Sequence, residues 1–119
     1  MKELIGKTIE QITGLVQYSE EVCIYTKCGG EYMFYHEQNC CESVTLEDYD
    51  VDDIVGGLML SAEEVNGEAE APEYHDSFTW TFYKIKTSKG DLWMRWLGES
   101  NGYYSESVDF KCVNEENYN

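Results

Sequence analysis

The run Tyr35-His36-Glu37-Gln38-Asn39-Cys40-Cys41-Glu42 carries an imidazole and two thiols within a few residues. Imidazole and thiolate are the usual ligands of zinc, which takes three or four donors at about 2.0–2.3 Å. A tight loop can close His36 and Cys40, four residues apart, on one ion. Cys41 follows at once, and adjacent side chains point in different directions. Both sulfurs therefore reach one ion only where the backbone is irregular. The plainer reading makes one cysteine a small core hydrophobe and leaves the other exposed. The zinc reading takes His36, Cys40 and Cys41 as metal ligands, with a fourth from His75, a carboxylate or Cys28. The ion would be structural, because a small domain with a modest core gains stability from a metal clip.

A second set is defined by charge. The chain has 24 acids against 8 bases, a net charge of −16 over 119 residues. Between Cys28 and Tyr83 there is no Lys or Arg, while fourteen acids fall in that span. A charge run is often only a solvated surface. The sharper expectation is an acidic face aimed at a basic groove, carried by Glu42, Glu47, Asp48, Asp50, Asp52, Asp53, Glu63 and Glu64. Such a charge repels nucleic-acid phosphates, so direct nucleic-acid binding is not expected.

The third set is Trp96-Leu97-Gly98-Glu99-Ser100-Asn101-Gly102-Tyr103-Tyr104-Ser105-Glu106. Glu99, Asn101, Tyr103 and Tyr104 could recognise a partner through tyrosine surface and adaptable hydrogen bonds. The plainer reading, and the favoured one, is an ordinary hairpin loop turning at Asn101-Gly102, with the tyrosines as strand residues. Catalysis has little support. There are two histidines, no legible Ser-His-Asp or Cys-His arrangement, and no phosphate-binding glycine loop. Acids around Cys40 and Cys41 would raise a thiol's pKa and blunt it as a nucleophile.

These groups need a scaffold, and the residue types favour strands, with ten Tyr, four Phe, three Trp and many Val, Ile and Thr. Strands are expected at 7–16, 21–27, 31–37, 43–48, 58–64, 78–87 and 91–97, with a final one carrying Val108, Phe110 and Cys112. Gly29-Gly30 suits a tight hairpin. Residues 50–56 read as one helical turn capped by Asp50 and ended by Gly56, and a short helix could cover 2–11. The segment 66–76, which holds Pro72, reads as a surface loop. The expected fold is mainly β (a β-rich α+β class). An antiparallel sheet forms a small barrel or sandwich, with one or two short helices, in a single domain over 1–119. Five cysteines, an odd number, and no export signal point to reduced thiols and a cytoplasmic protein. No run approaches the roughly 20 apolar residues of a membrane span.

Three phrases resemble an uncharacterised family of small acidic phage and prophage proteins: Tyr35 to Val44, Thr79-Trp80-Thr81-Phe82-Tyr83-Lys84, and Gly98 to Glu106. With their spacing, the likeness covers nearly the whole chain. It implies a viral or mobile-element origin in a host bacterial cell, and it makes His36, Cys40 and Cys41 look like a site. Small acidic viral proteins are often inhibitors of bacterial defence, such as anti-CRISPR proteins and DNA mimics, an analogy of class and charge. The leading expectation is therefore an anti-CRISPR-like inhibitor whose acidic face docks on the basic nucleic-acid channel of a Cas effector nuclease. One alternative is a sponge for a defence signalling nucleotide, with Tyr103, Tyr104 and Trp96 stacking on a base beside Lys84, Lys86 and Arg95. Another is a structural or assembly protein of a phage particle.

Overall fold

A computed structural model describes residues 1–65, 77–102 and 104–117. The strands are β1 (Ile9–Thr13), β2 (Glu21–Thr26), β3 (Glu31–Tyr35), β4 (Ser43–Val51), β5 (Met59–Val65), β6 (Ser77–Thr87), β7 (Gly90–Ser100) and β8 (Asp109–Asn114). They form two four-stranded antiparallel sheets, ordered β1-β2-β3-β8 and β4-β7-β6-β5. The architecture is a sandwich, not a closed barrel. Helix among the described residues is limited to two 3-10 turns, Lys2–Leu4 and Lys27–Gly29.

Alternation decides which sheet face is buried. On β7, Leu92, Met94 and Trp96 are buried, and their register partners Ile85, Tyr83 and Thr81 on β6 point the same way. The first sheet contributes Ile9, Val22, Ile24, Tyr32 and Phe34. Phe34 joins the layers, with its ring 4.9 Å from Tyr83 of the other sheet and 5.0 Å from Phe110 of its own. Each fully buried large side chain contributes about 1.5–3 kcal/mol through removal from water. Burial also pushes the Tyr83 hydroxyl pKa far up, helped by the charges of Glu64 and Asp109.

The long β6–β7 hairpin turns through Ser88-Lys89. The Lys89 amide donates to the Thr87 hydroxyl at 3.0 Å, and that hydroxyl donates to the Gly90 carbonyl at 2.8 Å. Gly90 sits at φ +135°, and a Cβ there would lie 2.6 Å from the Asp52 side chain. Asp52 is held against this turn, its carboxylate accepting the Asp91 amide at 2.9 Å.

The expected helical turn over 50–56 is not formed. Asp50 and Val51 extend β4, paired with Trp93 and Leu92 of β7. The short helix expected over 2–11 is reduced to Lys2–Leu4, and residues 9–13 are strand. The segment 66–76, with Glu68, Glu70, Glu73, His75 and Asp76, lies outside the described residues. Among the described residues no helix is long and apolar enough to cross a membrane.

Candidate functional site

The chain changes sheet twice at one end of the sandwich. Residues 36–42 carry it from β3 to β4, and residues 101–108 return it from β7 to β8. Register places the two crossings side by side, with Tyr35 opposite Asp109 and Ser43 opposite Glu99. They are tied directly, since His36 Nδ1 lies 2.7 Å from the Ser107 carbonyl and the Glu37 amide donates to Asp109 Oδ2 at 3.3 Å.

Each crossing is built around a glutamate, buried in the first and half-buried in the second. The Glu42 side chain has no exposure. Its Oε1 accepts the Cys40 amide at 2.9 Å, the Asn39 amide at 3.2 Å and the Gln38 side-chain amide at 3.0 Å. Burial alone would raise its pKa. The amides of Cys40, Glu42 itself and Asn39, with the His36 ring, outweigh burial and bring it to about 2. The other oxygen, Oε2, faces His36 Nε2 at 3.3 Å. Both atoms are buried and neither makes a hydrogen bond. The pair is a close contact that is not aligned for N–H···O donation, so the His36 influence on Glu42 is better read as proximity. In the second crossing Glu106 accepts from Ser100 and Thr79. Burial raises its pKa, but the hydroxyls of Ser100, Ser77 and Thr79 overcome this and lower it. Gly98 lets this loop pass, because a Cβ there would lie 2.2 Å from the Glu106 carbonyl oxygen.

The first and third phrases that carry the sequence resemblance thus meet at this end, and the second touches it through Thr79, whose hydroxyl donates to Glu106. Several expectations change. Glu42 is buried and cannot belong to an exposed acidic face. Cys40 and Cys41 are joined to each other as a disulfide, where reduced thiols were expected, while Cys23, Cys28 and Cys112 are free. The zinc set of His36, Cys40 and Cys41 is not assembled. The sulfurs are paired, and among the described residues no group of three or more His, Cys, Asp or Glu is placed to hold a metal. Cys28 lies in the β2–β3 turn, the whole length of β3 away, and cannot be a fourth ligand. Trp96 is fully buried and cannot stack on a nucleotide base. Glu99 and Tyr104 are half-buried at the crossover end, where Asn101 is exposed. Tyr103 lies outside the described residues.

The remaining acids gather on the second sheet, along its two edges. Asp48 and Asp50 share the outward face of edge strand β4, followed by exposed Asp52 and Asp53, with Glu47 half-buried at a bulge. Glu63 and Glu64 are exposed on the opposite edge strand, β5. Three strand spacings separate these edges, about 14 Å. Between them the outward face is aromatic and basic. Arg95 lies over the Trp80 ring at 4.9 Å and reaches Asp48 at 3.9 Å, and Phe82 packs 5.9 Å from Trp93. Register sets Asp50, Trp93, Lys84 and Glu63 in one row. A cleft of about 370 Å³ there is lined by Asp50, Asp52, Asp91, Lys84, Trp93 and Val65. Among the described residues the loop before β2 meets the β4 edge at Leu46, whose amide donates to the Ser19 carbonyl at 2.8 Å and whose carbonyl accepts the Tyr18 amide at 2.6 Å.

The family model described as Domain of unknown function (DUF7448) matches residues 2–110, from the first 3-10 turn into β8. The chain belongs to this family. Both crossings and the acid-edged sheet fall inside the DUF7448 match. No curated protein matches the chain, and no solved structure matches it.

Proposed function

We propose that this DUF7448 protein is a non-catalytic inhibitory binding domain of phage or prophage origin. It docks the acidic β4 edge and the following turn on the basic channel of a bacterial nucleic-acid-processing defence effector. What carries the reading is one run, Glu47, Asp48, Asp50, Asp52 and Asp53. It offers five carboxylates in seven residues with no base among them, four of the five exposed. Basic channels that hold guide and target strands attract such a run, which competes with phosphate for the same lysines and arginines. The outward aromatics beside it supply surface for stacking by arginine side chains.

The test is displacement of labelled nucleic acid from purified RNA-guided nucleases. Asp52 is left intact because it holds the β6–β7 turn, and Glu47, Asp50 and Asp53 are changed together to Lys. The native protein is expected to displace nucleic acid at low salt, with affinity falling steeply as salt rises. The triple variant is expected to bind at least about tenfold more weakly. Equal displacement by both, or none by the native protein across the panel, rejects the reading.

A further inference from the structure

The acidic run of β4 offers more than charge, because the backbone beneath it is open on one side. We propose, resting on the docking at β4 described above, that residues 48–51 take an extended segment of the partner as an added antiparallel strand, with basic and apolar residues alternating along that segment.

β4 is an edge strand, with β7 on one side and no strand on the other among the described residues. The ladder decides which of its backbone groups face outward. The Asp52 amide donates to the Asp91 carbonyl at 3.1 Å, so Asp52 turns its backbone toward β7. Antiparallel pairing alternates, so Asp50 does the same, while Tyr49 and Val51 turn theirs away. The Tyr49 amide agrees, since it donates to the adjacent Asp48 Oδ1 at 2.9 Å. The Tyr49 carbonyl and both backbone groups of Val51 are left to receive a strand. The loop before β2 already makes such a pairing one step earlier, where Tyr18 and Ser19 bond the backbone of Leu46. Beyond that point a cleft of about 590 Å³ opens, lined by Gln17, Glu47, Asp48, Tyr49 and Arg95. It gives an incoming chain room beside β4.

The side chains of β4 then set the pattern of the segment. Tyr49 packs against the core, whereas Asp48 and Asp50 are exposed on the outward face. Residues opposite each other on adjacent strands point the same way, with Cβ atoms about 4.5–5.5 Å apart. Partner residues opposite Tyr49 and Val51 therefore meet apolar surface. Those between them come beside Asp48 and Asp50, with Trp93 next in the row. Lysine or arginine suits these positions through charge and through the indole ring. A second copy of the chain does not fit. Antiparallel pairing of β4 with β4 sets carboxylates against carboxylates, and like charges directly opposite destabilise a ladder. Antiparallel addition is favoured because it is the more stable pairing per residue.

The probes are fluorescein-labelled, C-amidated heptapeptides alternating Lys and Val. One is unmodified, one is N-methylated on its valines and one on its lysines. In the added strand the valine amides face β4 and the lysine amides face away, while all three peptides carry the same charge. Binding is read by anisotropy in 0.15 M NaCl. The unmodified and lysine-methylated peptides are expected to bind alike, and the valine-methylated peptide at least about tenfold more weakly. Val51→Pro removes the receiving amide where an edge strand tolerates proline, and should weaken the unmodified peptide by about tenfold. Hydrogen exchange at the Val51 amide is expected to slow in the complex. No binding of the unmodified peptide, equal binding of both methylated peptides, or unchanged exchange at Val51 overturns strand addition. Electrostatic docking on a nuclease channel survives those results, because it stands or falls separately in the displacement assay.

Discussion

Glu42 shows how one side chain can be misjudged from its neighbours and still be informative. It stands in a run of acids but faces inward, with one of its oxygens held by the amides that precede it. Its folded pKa of about 2 lies below the ordinary value of 4.5. The charged form is therefore favoured by folding, and the stability it supplies is complete above about pH 4.5 and lost as pH falls toward 2. Glu42→Gln keeps the shape but removes the charge. It is expected to lower Tm at pH 7 by about 5 °C or more, and the native-minus-variant difference should shrink in melts between pH 4.5 and 2. A difference independent of pH would mean that the Glu42 charge does not hold this crossing together. Sequence carried a faint signal of this role in Gln38, four residues before Glu42 and able to reach it. Glu106 had a similar signal in its serine-rich surroundings, Ser100, Ser105 and Ser107. Neither pattern separates an internal anchor from a surface acid, because burial is set by the second crossing, distant in sequence.

Among the elements, β3 has the greatest leverage, since Phe34 touches an aromatic of each sheet. Phe34→Ala is expected to cost about 3–5 kcal/mol, read as a drop in the denaturant midpoint with unchanged slope. A loss below about 1 kcal/mol would mean that the layers are held elsewhere. Much of this architecture was legible. The alternation of β6 and β7 holds except at Thr81-Phe82-Tyr83 and Trp96-Leu97-Gly98, each buried throughout. Ser88-Lys89-Gly90 punctuates its hairpin as its letters suggest, whereas the β2–β3 turn is a 3-10 turn with Cys28 and Gly29 left-handed and Gly30 extended. The misreading at 50–56 has a physical cause. Asp50 and Gly56 mimic helix caps locally, whereas β7 is eleven residues long and offers a ladder that Asp50 and Val51 join. Tertiary pairing overrode a local signal that no single segment could reveal. The choice between barrel and sandwich was equally hidden, because it depends on the two crossings and not on any strand.

For the whole molecule the controlling quantity is the charge of −16. The acids are neither evenly spread nor gathered on one uniform face. Seven of them, Glu47, Asp48, Asp50, Asp52, Asp53, Glu63 and Glu64, lie along the two edges of one sheet with Arg95 and Lys84 between, while Glu10, Glu21, Glu31 and Asp109 sit on the other sheet. Repulsion along 47–53 opposes folding, while the Asp48–Arg95 contact at 3.9 Å is exposed enough to contribute little. Added salt should therefore stabilise the protein. The Debye length shrinks from about 30 Å at 0.01 M to about 3 Å at 1 M, which covers repulsion between neighbouring carboxylates but leaves buried Glu42 almost unscreened. Melts in 0.01 M and 0.5 M NaCl at pH 7 are expected to show Tm rising by about 5 °C. The rise should be smaller in the Glu47, Asp50 and Asp53 triple Lys variant, which removes the densest run. A Tm that falls with salt would mean that attraction between the edge acids and the central bases outweighs their mutual repulsion. The β4 edge would then be largely neutralised within the fold, with little field left to draw in a basic partner.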